Sequence, residues 1–225
     1  MMTTISETDI DIDRQIVCRY IGYSRDVEPS PRIASLLDEY IENAKHLIEP
    51  SYSYVIKNVH EVNDNCATVE DSVCFEGKVI SKLLDRCDKV AIFVLTIGGR
   101  LEEIAAQLAD DNMIVESYVL DAIGSSAVEN LAEFVQGIIG ETAYHRGFSI
   151  SRRFSPGYCD WDISQQEKVF QALDGHSSVV KLSPEHLMTP QKSISGIIGM
   201  APSQNDVATY NPCKTCEKHN CVGRR

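Results

Sequence analysis

The chain has 225 residues, 43% of them apolar, and a formal charge of −12. That length and apolar fraction suit one large domain with short appendages. The acidic balance excludes a nucleic-acid binder working through a basic face, and no stretch approaches the ~20 apolar residues of a membrane span.

Met1 to Asp13 is polar and acidic with no apolar core, so it is not a signal peptide, and a cytoplasmic protein is expected. Eight cysteines in that setting are expected as thiols, metal ligands or redox groups rather than disulfides. Three segments follow: a flexible N-terminus over 1–14, one folded domain over 15–202, and a linker with a cysteine-rich tail over 203–225.

Gln15 to Tyr23 reads as a strand or short helix. The first clear helix starts at Pro31, with Ser30 at the N-cap and Pro50 as the stop. Its apolar residues, from Ile33 through Leu36, Leu37, Tyr40 and Ile41 to Ile48, step by three and four and form one buried face. Tyr52 to Val62 is a strand, Asn63 to Asn65 a turn, and Ala67 to Phe75 an alternating second strand. Lys78 to Leu84 is a short helix. Lys89 to Ile97 is nearly continuous apolar sequence, which marks a strand buried on both faces.

Gly98-Gly99 then leads to a helix over Arg100 to Ala109. Such a turn can cradle phosphate on free backbone N–H groups. It lacks the spacing of the known phosphate loops, and a plain tight turn is the simpler reading. Asn112 to Arg146 is a long helical region with a break expected near Gly124 or Gly137–Gly140. On it Ala122, Ser126, Glu129 and Glu133 step by four, three and four along one face. Phe148 to Phe154 alternates as a strand, Ile163 to Leu173 is a helix, and Val179 to Leu182 is a short strand. After the loop Pro184 to Pro190, Ser193 to Met200 is a strand of small residues. Glycines within it suggest a bulge or close approach by another group.

Two stretches carry chemistry. The first is Arg153-Phe-Ser-Pro-Gly-Tyr-Cys159, where a guanidinium, the Pro156-Gly157 turn and the Tyr158 ring fall within six residues. That suits a small carboxylate-bearing ligand; an ordinary turn beside a strand-end charge is the competing reading. Trp161 follows as a wall of the same site or as a loop anchor. The second is Cys213-x2-Cys216-x4-Cys221, a spacing that lets thiolates share one metal. Two fourth ligands are open: His219, giving a zinc site, or Cys159 from across the fold, which also admits an iron–sulfur cluster. Cys18, Cys66, Cys74 and Cys87 lie in apolar segments and read as small buried hydrophobes. No triad pattern surrounds Ser155, Ser193 or Cys159.

Arg153-Phe-Ser-Pro-Gly157-Tyr158 resembles the RxxxGY motif of the activation domain of cobalamin-dependent methionine synthase. The preceding helix with Asp121-Ala-Ile-Gly-Ser-Ser-Ala-Val-Glu129 and the closing Met188-Thr-Pro190…Ser193-Ile-Ser195-Gly196 extend the resemblance to roughly residues 16–202. It implies an α+β fold with a twisted, mainly antiparallel sheet flanked by helices. It also implies binding of S-adenosylmethionine through Glu129, Arg153, Pro156, Gly157, Tyr158, Ser195 and Gly196. Arg153 would take the ligand carboxylate, Tyr158 would pack on the ligand, and Glu129, or Glu133 in its place, would hold the ammonium group. In that family an electron and a methyl group from S-adenosylmethionine restore methylcobalamin after accidental oxidation to cob(II)alamin.

No substrate-, folate- or cobalamin-binding module is recognisable beside this domain. A stand-alone activator is therefore expected, serving a corrinoid protein or a methionine synthase that lacks its own activation domain. Flavodoxin or ferredoxin would be the electron donor, and Cys159, Cys213, Cys216 and Cys221 the metal ligands. The alternative is a docking or regulatory module for a corrinoid protein with a structural zinc in its tail.

Overall fold

A computed structural model describes residues 3–4, 10–175 and 179–214. The chain runs β1 (Thr3–Thr4), α1 (Arg14–Tyr20), α2 (Pro31–Ala44), β2 (Ser51–Val62), β3 (Cys66–Val69), β4 (Val73–Glu76), α3 (Lys78–Leu84) and β5 (Lys89–Thr96). It continues with α4 (Arg100–Asp110), α5 (Ile114–Tyr144), β6 (Phe148–Phe154), α6 (Gln166–Ala172), β7 (Lys181–Leu182), β8 (Met188–Thr189) and β9 (Ser193–Pro202). Among the described residues no helix is long and apolar enough to cross a membrane.

The main sheet has seven strands in the order β4-β3-β2-β5-β9-β6, with β1 paired to the start of β2. Every pairing is antiparallel, so the architecture is the expected α+β fold with a mainly antiparallel sheet. β5 is its centre. Because side chains alternate along a strand, Ala91, Phe93 and Leu95 enter the core under α1, α2, α4 and α5. Val90, Ile92 and Val94 enter a second core with α3, α6 and the β3–β4 hairpin. Each large side chain so buried contributes about 1.5–3 kcal/mol. That explains why β5 is apolar from Val90 to Leu95 although its sheet is antiparallel.

Several elements differ from expectation. Gln15 to Tyr23 resolves into the helix α1, capped by the Asp13 carboxylate, which accepts from the Gln15 and Ile16 amides. Ile10 and Ile12 are buried in the first core, so packing begins upstream of residue 15. Ala67 to Phe75 is not one strand but the hairpin β3–β4, folded at Asp71 and Ser72, both with positive φ. Its arms bring Cys66 and Cys74 into a disulfide, correcting their reading as buried hydrophobes. Cys18 and Cys87 are buried as expected. α5 runs 31 residues without a break. At Gly124 the missing Cβ is what admits Leu101, whose Cδ2 would lie 2.8 Å from it. Beyond Pro202 the chain still packs: Val207 is fully buried in the second core.

Candidate functional site

The register of β6 decides where Arg153 points. Phe148, Ser149 and Ile150 face Pro202, Ala201 and Met200 on β9, but Arg153 faces Ile198. Ser151 and Arg152 together oppose Gly199, which is a bulge. The Ser151 hydroxyl accepts from the Gly199 amide at 2.9 Å and fixes it. Directly opposed residues share a face, and Ile198 belongs to the core under α5. The bulge therefore turns Arg153 toward α5 and sends Phe154 into the second core. An unbroken alternation would have done the reverse.

α5 packs against β6, β5 and β9, with Gly124 over the Lys192 side chain and Gly140 over Ile150 of β6. Between these two glycines, Glu129 meets Arg153, with Nη2 to Oε2 at 3.3 Å. The Arg153 side chain is 21% exposed and that of Glu129 52%. Arg153 Nη1 is buried and has no hydrogen-bond partner among the described residues. Leaving a charged donor so is costly, by about 1–3 kcal/mol or more. An opposite-charge pair with one donor idle matches the carboxylate and ammonium of an α-amino acid. The chemistry of these residues thus fits the amino-acid end of S-adenosylmethionine.

The chain beyond Arg153 is held from two sides. Over β9 it passes so close to Gly196 that a Cβ there would lie 2.2 Å from the Phe154 carbonyl oxygen and 2.9 Å from Ser155 Oγ. Past Pro156, Gly157 adopts φ +91, and its amide donates to the Trp161 carbonyl at 2.7 Å. Tyr158, 64% exposed, stands at the tip of that loop. Trp161 is its anchor and not a wall: 1% exposed, it packs edge-on to Phe75. Asp160 beside it accepts from the Lys78 and Val79 amides at 2.8 and 3.2 Å, capping α3 from afar.

Strand alternation separates two residues expected together. Gly196 faces α5, while the Ser195 side chain points to the other face and its hydroxyl donates to Gln166 Oε1. Ser195 is 2% exposed, so its side chain is structural. Along α5, Ala122 and Ser126 are buried whereas Glu129 and Glu133 face solvent, and Glu129 is the one that reaches Arg153. Cys159 is half-buried with φ +55, and Cys213 lies in a 3-10 turn over Pro212–Lys214. Cys216, His219 and Cys221 lie outside the described residues.

Sequence reasoning missed Lys192. Its ammonium binds Asp121 at 2.7 Å and Ser125 at 2.9 Å, two turns and one turn before Glu129 on α5. The Lys192-Ser193 step ahead of the small-residue strand was its only signal. Past Asp121 a groove of 560 Å³ opens between α4 and α5, lined by Glu102, Glu103, Ser117, Tyr118 and Gln191 among others. Those carboxylates, near Gly99 as well, make the Gly98-Gly99 turn unsuited to phosphate.

Sheet order and flanking helices together define an α+β domain built on one mainly antiparallel sheet. The solved MetH reactivation domain bound to AdoHcy matches with a TM-score of 0.66 at 15% identity, covering 92% of this chain and 80% of that one. A family model described as vitamin B12 dependent methionine synthase, activation domain, matches residues 53–221. The chain belongs to that family. A comparison with curated proteins gave no match.

Proposed function

We propose that this protein binds S-adenosylmethionine at the Arg153–Glu129 pair and supports reductive methylation of cob(II)alamin on a partner corrinoid methyltransferase, such as a methionine synthase without an activation domain of its own. The observation that carries the reading is the buried, unpartnered Nη1 of Arg153 beside the Glu129 carboxylate. Arg153 takes the ligand carboxylate in a charge-assisted, geometrically selective contact. Glu129, half-exposed, takes the ammonium. Gly157 lets the loop backbone approach the ligand, and Tyr158 supplies an exposed ring at the loop tip.

Bound S-adenosylmethionine supplies a methyl cation, which together with one electron converts cob(II)alamin to methylcobalamin and leaves S-adenosylhomocysteine. A flavodoxin- or ferredoxin-type donor supplies that electron. The residues described above position the donor molecule, while the cofactors carry the chemistry. The test mixes the protein with a cob(II)alamin-loaded corrinoid methyltransferase, a reductant and S-adenosylmethionine. Methylcobalamin should form only when all are present. Binding of S-adenosylmethionine without methylcobalamin would overturn the reductive role and leave a docking module.

A further inference from the structure

We propose that Cys159 and Cys213 are two ligands of one thiolate metal centre, completed by Cys216 and Cys221. The fold brings two distant segments to the first turn of α3. From one side, the Asp160 carboxylate accepts from the Lys78 and Val79 amides. From the other, the Tyr210 hydroxyl donates to the Val79 carbonyl at 3.2 Å. Cys159 adjoins the first of these contacts. Cys213 follows the second by three residues, a reach of at most ~11 Å.

Both segments are held firmly. The Tyr210 ring packs on Phe154 at 6.0 Å and under the Arg86 guanidinium at 5.4 Å. The Cys213 amide donates to Asn211 Oδ1 at 2.9 Å within its single turn. Burial, chiefly, raises the Tyr210 hydroxyl above its ordinary value; the Arg86 charge opposes this, and Cys159 and Asp160 add to it. Tyr210 therefore lies within electrostatic reach of the Cys159 thiol. Cys159 itself holds φ +55, a conformation that L residues other than Asn and Asp seldom adopt. Such outliers gather where a side chain is aimed for a purpose.

The remaining ligands come from the sequence. Cys213-x2-Cys216 is a spacing by which two thiolates bind one metal, and Cys221 adds a third. Against a chain of net charge −12, the tail carries Lys214, Lys218, Arg224 and Arg225 with only Glu217 opposing. Cations around cysteines favour the thiolate, the form that binds metal. Among the described residues no three metal-binding side chains gather, and Cys159 and Cys213 are the two of this set that fall within them. Four thiolates hold either a tetrahedral zinc ion or an iron–sulfur cluster.

The test purifies the full chain without oxygen as wild type, Cys159→Ser, Cys216→Ser and His219→Asn, and reads zinc, iron, sulfide and the visible spectrum. Circular dichroism checks that each variant is folded. Wild type should carry zinc alone, or iron with sulfide and a coloured spectrum; the two results separate the two metal chemistries. Cys159→Ser and Cys216→Ser should lose metal to a chelator at least about tenfold more readily, the scale found even for groups behind the ligands. His219→Asn should hold it as wild type does. A metal-free wild type overturns the centre. Metal retained in Cys159→Ser but lost in His219→Asn overturns the role of Cys159. No S-adenosylmethionine enters these measurements, so their failure leaves the proposed function untouched.

Discussion

The run from Arg153 to Trp161 serves both faces of the sheet, and the two faces treat it differently. On the second face it is fastened: Phe154 and Trp161 enter the apolar core, and Asp160 is spent on the α3 amides. On the α5 face it is presented: Arg153 stands beside a half-exposed carboxylate with one nitrogen idle, and Ser155 passes over a position that only glycine fits. A ligand seat needs side chains held by a rigid support yet left with unused bonding capacity. Here the support and the capacity lie on opposite sides of one sheet. Substitutions on the fastening face should therefore cost stability, and those on the presenting face should cost ligand.

The largest effect is expected at Trp161. Its replacement by Ala should lower the unfolding free energy by about 3–5 kcal/mol, measured by urea denaturation, because a large buried ring is removed. A change within the noise would break the assignment of this face. Gly196→Ala tests the junction between the two faces. A Cβ there collides with the backbone of Phe154, which overpacks the turn at a cost of roughly 1–3 kcal/mol. Moving that backbone also moves Arg153, so S-adenosylmethionine affinity should fall together with stability. A fall in stability alone would detach the turn from the seat.

Ser195→Ala sharpens the contrast, because Ser195 neighbours Gly196 but points the other way. Losing its bond to Gln166 should cost about 0.5–1.5 kcal/mol of stability with S-adenosylmethionine affinity unchanged. The smallest effect near neutral pH belongs to Cys87. Burial, chiefly, with the nearby Asp88 charge, pushes its thiol from 9.0 up to about 12. The folded state thus holds this proton where the unfolded chain releases it. The contribution is intact below pH 9 and is lost as pH rises from 9 toward 12. A Cys87→Ala variant should show a shallower fall in melting temperature across that window.

Much of the fold was legible in the sequence, for particular physical reasons. The apolar run of β5 can only be satisfied between two cores, and the three–four spacing of α2 can only be satisfied on one. The pairing of Arg153 with Glu129 was anticipated only as two ends of one ligand. What was not legible depends on register. Alternation along Phe148 to Phe154 groups Arg153 with Ser149 and Ser151; the glycines of Ser193 to Met200 pointed to a bulge, but nothing along Phe148 to Phe154 announces that Ser151 and Arg152 form it opposite Gly199. The Cys66–Cys74 disulfide was hidden for the same reason, since the turn between the cysteines lies inside an alternating stretch. Lys192 was missed because its partners, Asp121 and Ser125, lie some 70 residues away on α5.

The central claim is that the partly buried guanidinium of Arg153 holds the carboxylate of S-adenosylmethionine. Isothermal titration calorimetry of S-adenosylmethionine into wild type and Arg153→Ala tests it most directly. Wild type should bind, and the variant should bind about 10–100-fold more weakly, the loss of one charged hydrogen-bonding partner worth about 1.5–3 kcal/mol. Equal affinities in the two proteins, or no binding by wild type, would contradict it.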